Sequence, residues 1–274
     1  MYTPLDKAAQ VLNLLLEGCS VNSTARLADI HHTTILNLLT VAGEKCERLM
    51  DSRVRNVPVS DVQCDEIWGY VGKKEQNKWM DEAHRKDIGD AYTFVAIERH
   101  SKLVLAFHLG RRDQSSTTAF IGKLRNATAD RRFQITTDGF PAYPSAIDYA
   151  LIDRCDYAQL IKVYASPREG EARYSPADVV GAVPTPVMGT PEMDRICTSH
   201  VERQNLTMRM QLRRLTRLTN AFSKKWANLK AALAIYFAWY NFCRVHKTLR
   251  MTPAMAAGIA DHIWTIPELL GAAA

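Results

Sequence analysis

"VQCDEIWGYVG", residues 62–72, is the stretch on which the fold turns. Valine, isoleucine, tryptophan and tyrosine dominate it, the residue types that suit a pleated, half-buried surface. Two carboxylates, Asp65 and Glu66, interrupt them side by side. Strand parity puts Asp65 on one face with Ile67 and Val71, and Glu66 on the other with Trp68 and Tyr70. An acid among apolar neighbours costs free energy unless a metal, a proton or a partner neutralises it. Read as a strand, this stretch turns Asp65 into a chemical question.

Downstream, the pattern stays strand-like and then alternates. "AYTFVAIE" (91–98) and "KLVLAFHL" (102–109) are two more strands at hairpin spacing. "SSTTAFIGKLRNAT" (115–128) has a serine cap and a helical stripe, and "FQITTDG" (133–139) is a strand ending at Asp138-Gly139. "AYPSAIDYAL" then reads as a short helix and "CDYAQLIKVYA" (155–165) as a fifth strand. The order β-β-β-α-β-α-β-α predicts an α/β fold, one mixed five-stranded sheet flanked by helices. Prolines 167, 176, 184, 186 and 191 make residues 166–194 a long loop or an inserted hairpin. Residues 73–90 form a charged loop in which Lys73, Lys74, Lys78, Arg85 and Lys86 are diluted by five acids. Solvation explains those lysines better than a ligand does.

Upstream, residues 5–50 read as helices. "LDKAAQVLNLLLEG" carries apolar residues at helical spacing and stops at Gly18. Two shorter segments follow, broken near Asp29 to His31, the second capped by Thr33 or Thr34 and lined by Ile35, Leu38 and Leu39. That is the spacing of a helix-turn-helix, whose second helix enters the major groove. A helical hairpin used for dimerisation has the same spacing. Residues 51–61, polar and carrying Pro58, are the linker.

The chain has 274 residues, 47% of them hydrophobic, ample for a globular core. Its net charge is +6, unevenly placed. From Arg203 to Ala260 there are 11 lysines and arginines and no Asp or Glu. Such a segment suits phosphate backbones. Six cysteines are scattered without a C-x-x-C pair, which disfavours zinc and a disulfide framework and fits reduced thiols in the cytoplasm. Neither a signal peptide nor an apolar run of membrane length is read.

At the head of the basic segment stands a lone acid, Glu202. On a helix starting at Ser199, Leu206, Arg209 and Arg213 lie within about 40° of it. Val201, Met208, Leu212 and Leu215 form a separate packing stripe. Asp65, Asp138 and Glu202 belong to three elements distant in sequence, so only the fold can gather them. Gathered, three hard oxygen ligands suit Mg²⁺ or Mn²⁺, and two such ions support an in-line phosphoryl displacement. Singly, each has a plainer reading: an ion pair, turn chemistry, a helix first-turn charge. Trp68 and the aromatic run 231–242 read as packing.

"VQCDEIWGYVG", "ITTDGFPAY", "SHVERQNLTMR" and "YNFCRVHKTLRMTPAMAAG" together resemble the DDE-type insertion-sequence transposases, over residues 60 to 258. The resemblance implies a ribonuclease H-like catalytic domain at 62–258, with 259–274 as a tail and residues 1–50 as the DNA-reading domain. It places the catalytic, metal-binding acids at Asp65, Asp138 and Glu202, with Glu66 leaving the first ligand open by one residue. Two divalent ions, usually Mg²⁺, are implied, with strand cleavage by water and attack of a 3′-OH on target DNA. Arg203 also matches the family pattern. Arg209, Arg213, Arg244, His246, Lys247 and Arg250, with Asn241, are candidate DNA contacts. Double-stranded DNA and a homo-oligomer that pairs two element ends are the implied partners, and the nucleoid the place of action. A non-catalytic helix-turn-helix regulator and a ribonuclease H-type nuclease are the competing functions.

Overall fold

Strand β1 (Asp61–Val71) sits at the centre of the architecture and is the stretch read first above. A computed structural model describes residues 3–165, 179–216 and 219–272. β1 pairs antiparallel with β2 (Gly89–Glu98), which pairs antiparallel with β3 (Val104–Gly110). On its other side β1 runs parallel to β4 (Phe133–Thr137), and β4 parallel to β5 (Cys155–Tyr164). The order is β3-β2-β1-β4-β5-β6, a mixed α/β sheet flanked by helices. β1 is buried on both faces, as a central strand flanked by helices must be.

The sheet has six strands, one more than expected. β6 (Val179–Met188) pairs antiparallel with β5, so the described part of the inserted region is the returning arm of a hairpin. Pro184 and Pro186 stand opposite Leu160 and Ala158 inside it. Proline cannot donate to a ladder, and β6 tolerates two because it is the edge strand. Residues 166–178 of the expected insertion lie outside the described residues.

α4 (Gln114–Ala127) and α5 (Tyr143–Leu151) cover one side of the sheet. α4 is capped by Asp113, which accepts from the Ser116 amide at 2.8 Å; the expected serine cap is displaced by two residues. The helical pattern from Ser199 to about residue 240 is two helices, α6 (Ser199–Gln211) and α7 (Trp226–Phe242), and the expected break near Thr219-Asn220 falls between them; α6 itself ends before Leu212. Leu212 and Leu215 are buried at 5% and 4% exposure, and a 3-10 turn, Arg213–Leu215, delivers both to the core. Arg213 is therefore off the α6 axis, and its expected alignment with Glu202 does not arise.

At the N-terminus are α1 (Leu5–Leu16), α2 (Val21–Ala28) and α3 (His32–Arg53). Ser20 caps α2 by accepting from the Ser23 amide, and Asp29 ends it in the left-handed region at φ 48°. α3 is capped by His31, whose Nδ1 accepts from the Thr33 amide at 3.3 Å, rather than by Thr33 or Thr34. Val11, Ala28 and Ile35 form a small core of their own among these helices. α3 then runs past that unit onto α7. A Cβ on Gly43 would lie 2.4 Å from the Ala231 Cβ, so glycine is what lets the two helices touch. Leu12, Leu39, Cys46 and Leu49 share one apolar core with the sheet.

Beyond α7, Trp264 stacks on Phe242 at 4.7 Å, and Ile266 and Leu269 are buried. Asn241, read above as a DNA contact, is fully buried. It accepts from the Val104 amide at 3.0 Å and donates to the Val104 carbonyl at 2.9 Å, completing the outer edge of β3. Among the described residues no helix is long and apolar enough to cross a membrane.

Candidate active site

The site follows from register. Gln63 pairs with Thr136 across the parallel β1–β4 ladder, so two residues further on Asp65 comes beside Asp138, where β4 ends. Asp65, Glu66 and Asp138 each offer a carboxylate oxygen, and these atoms lie within 4.8 Å of one another. Asp138 is fixed by its own turn, its Oδ1 accepting from the Phe140 amide at 3.0 Å. Its carbonyl accepts from Thr137 Oγ1 at 2.7 Å and Gln159 Nε2 at 3.2 Å.

α6 lies over the Asp65 face of β1. Gln63 Oε1 accepts from the His200 and Val201 amides at 2.9 and 3.3 Å, satisfying free donors of the first turn. One turn on from Glu202, Asn205 Nδ2 donates to Asp65 Oδ2 at 2.9 Å. Val201 and Met208, with no exposure, and Leu212 pack as the helical stripe predicted.

Like charges at close quarters leave a clear electrostatic mark. Burial, then the Asp138 charge, pushes the Asp65 carboxyl up to about 7; Glu202 raises it further and Lys162 opposes. Glu66 is likewise raised to about 7 by burial first and Asp138 second. Its side chain is only 3% exposed. The Tyr143 hydroxyl lies close enough to favour the Glu66 carboxylate, yet neither Glu66 Oε1 nor Tyr143 Oη completes a hydrogen bond.

Two cations partly offset this. Arg112 donates from Nε to Glu66 Oε2 at 3.2 Å and from Nη2 to Asp138 Oδ2 at 3.3 Å, its guanidinium 4.2 Å from the Phe140 ring centre. Lys162, from β5, lies 2.6 Å from Glu202 Oε1, which also accepts from Thr198 Oγ1 at 2.6 Å. Glu202 thus stands outside the three-acid group but within electrostatic reach of Asp65.

The candidate DNA contacts are placed unevenly. Arg203 and Arg213 are exposed. Arg209 donates to the Leu215 and Trp68 carbonyls at 3.2 and 3.4 Å, tying the end of α6 to β1. Arg244 donates to Gln211 Oε1 at 2.9 Å and lies over Trp239. His246 bridges by its amide to Met251, while Lys247 and Arg250 are exposed. In the 73–90 loop, Lys73, Lys78 and Arg85 pair with Glu82, Glu75 and Asp87, three of the five acids that dilute them in the sequence.

Sequence reasoning missed Arg112, Lys162 and Asn205. Only Asn205 carried a signal, three residues after Glu202 on one helix; the other two reach the site from distant elements with no periodic pattern. The donor set is hard oxygen throughout, with Glu66 Oε1 and Asn205 Oδ1 buried and unpartnered. That chemistry fits a divalent cation.

Residues 80–168 match the DDE domain family of the IS240 type. Over that stretch the chain is similar to the DDE domains. The match takes in Asp138, Arg112 and Lys162, while Asp65 and Glu202 lie outside it and are brought near by the fold. Insertion element IS1 protein InsB of Escherichia coli (strain K12), in copies 2 and 3, is 34% identical over 95 residues, 33% of this chain. The chain spans about half the length of those curated relatives, 47%. Among solved structures, the Mos1 strand transfer complex overlaps 57% of this chain and 58% of its own, at 14% identity and a TM-score of 0.25. A pre-cleavage Mos1 transpososome overlaps 57% and 60%, at 13% identity and a TM-score of 0.24.

Proposed function

We propose that this DDE protein is a DNA transposase that cuts element ends and joins the freed 3′-OH to target DNA. The observation that carries the reading is the junction of β1 and β4, where Asp65 meets Asp138 under a helix bearing Glu202 and Asn205. A ribonuclease H-type nuclease would use similar acids, but helices α1–α3 at helix-turn-helix spacing favour a protein that first reads duplex ends.

Asp65, Asp138 and Glu202 would hold the ions, with Glu66 as a further donor. Two Mg²⁺ or Mn²⁺ ions would supply activation of the attacking oxygen and charge stabilisation at the leaving one. The protein's own groups prepare this. Asn205 donates to Asp65 Oδ2, orienting that carboxylate. Asp65 and Glu66, both raised to about 7, retain protons at neutral pH that ion entry must release. Lys162 neutralises Glu202 and Arg112 bridges Glu66 and Asp138, while Asp65 is held by the neutral Asn205 amide.

Arg203, Arg213, Lys247 and Arg250, all exposed, are the proposed backbone contacts; Arg209, Arg244 and His246 support the surface that presents them. Arg250 adopts φ 57°, which holds the turn after Lys247. Pairing two element ends calls for at least two protomers, so the working form is a homo-oligomer acting on nucleoid DNA in the cytoplasm.

The test is a strand-transfer assay with a labelled 3′-OH end, Mg²⁺ and purified protein, comparing wild type with Glu202→Gln. Wild type should join and the variant should bind without joining. Equal joining by both removes Glu202 from the chemistry.

A further inference from the structure

Among the described residues no acid pairs with Arg214. It sits in the loop between α6 and α7, donates from Nη1 to Ser223 Oγ at 3.1 Å, and leaves Nη2 buried without a partner among the described residues. Burial pushes the guanidinium down to about 10. The chain around it offers no acid, since no Asp or Glu occurs from Arg203 to Ala260. An unpaired buried cation is expensive, and arginine's fork matches a phosphate or carboxylate in two bonds at once.

Arg214 lines a cleft of about 790 Å³ between this loop and the N-terminal helices. The opposite wall is polar, with Ser20 and Asn22 from the start of α2 and Thr33 and Asn37 from α3. Lys224 and Lys225, exposed at the same cleft, add positive charge. The end of the loop that holds Arg214 through Ser223 is tied to β1: the Gly72 amide donates to the Ser223 carbonyl at 2.9 Å, and Phe222 packs on Tyr70 at 4.6 Å. So the cation is held by the catalytic sheet, while the facing wall belongs to the helices read as the DNA-recognition unit.

We propose that this cleft is a phosphate-binding site centred on Arg214, and that its occupant is a backbone phosphate of the DNA held against α3. The choice of DNA rests on the transposase reading; the need for an oxyanion at Arg214 does not. Bound there, one strand would be gripped by sheet and recognition helix together, coupling end recognition to the placement of DNA over the acids.

Two measurements on the full chain decide it. In the first, the melting temperatures of wild type and Arg214→Met are followed with inorganic phosphate against chloride of equal ionic strength. Phosphate also stabilises proteins non-specifically, so the difference between the proteins is the readout. Wild type should gain several degrees more than the variant, which without phosphate should melt no lower than wild type. In the second, binding of a duplex oligonucleotide is followed against salt. Arg214→Met should lower the log–log salt slope by about one. Arg214→Lys should keep the slope but lose part of the phosphate protection, which also covers the case of a poorly folded methionine variant. No extra protection of wild type by phosphate overturns the site. Protection with an unchanged DNA slope overturns the DNA occupant and leaves a free phosphate. If wild type binds no duplex at all, the transposase reading fails, and the phosphate difference alone judges the site.

Discussion

Replacing Glu66 with glutamine should remove much of the pH dependence of stability from the metal-free protein. Glu66 is raised from 4.5 to about 7, by burial first and by the charge of Asp138 second. A raised acid holds its proton more tightly folded than unfolded. Its contribution is therefore most favourable below pH 4.5, declines as pH rises, and is fully unfavourable above about 7. The gap corresponds to about 3 kcal/mol, at roughly 1.4 kcal/mol per tenfold change in proton affinity. With the side chain 3% exposed, little of this is screened away. The assay is urea unfolding at pH 5, 6, 7 and 8 with EDTA and constant ionic strength. Wild type should lose stability steadily over that range, and Glu66→Gln should lose about 2 to 3 kcal/mol less. Asp65 titrates in the same direction, so the variant's curve still slopes. Parallel curves for the two proteins would show that Glu66 is not a buried, repelled carboxylate and would refute the electrostatics of the site.

Other consequences are as specific. Mg²⁺ should raise the melting temperature more at pH 8 than at pH 5, because ions compete with the protons on Asp65 and Glu66; equal protection at both contradicts this. Asn205→Ala frees Asp65 Oδ2 and should weaken Mn²⁺ binding roughly 10- to 100-fold by calorimetry, with secondary structure unchanged. Gly43→Ala drives a methyl into Ala231 and should destabilise by about 1 to 3 kcal/mol in urea, since both helix backbones would have to part. Asn241→Leu strips both hydrogen bonds from Val104 and should cost about 2 to 4 kcal/mol while leaving duplex affinity per folded molecule unchanged.

The five strands β1–β5 and helices α1–α5 were legible because each carries its period undisturbed. The "VQCDEIWGYVG" run and the "FQITTDG" run even placed Asp65 and Asp138 at their strand positions. β6 was not legible as a strand, since "VVGAVPTPVM" carries two prolines that only an edge can accommodate. A break near Thr219-Asn220 was legible, but its early start before Leu212 was not: "LRRLTR" is good helix sequence, and the burial of Leu212 and Leu215 overrides that propensity. At the site, the acids could be named because a carboxylate in an apolar strand or a basic helix is conspicuous. Arg112 and Lys162 could not, because one arginine or lysine among 35 basic residues becomes informative only once the sheet brings it to an acid. Asn241 misled for the converse reason: beside Arg244 and Lys247 it looked like part of a basic surface, yet the α7 face that bears it packs on β3.

Concerted action of Asp65, Asp138 and Glu202 on DNA is tested most directly by the joining rate of a labelled 3′-OH end in Mg²⁺ for Asp65→Asn, Asp138→Asn, Glu202→Gln and a variant carrying all three. Each single change should lower joining by roughly a hundredfold or more, and the triple should be little worse than the weakest single, as groups acting in concert require. Joining near the wild-type rate by any one of the three singles would contradict it.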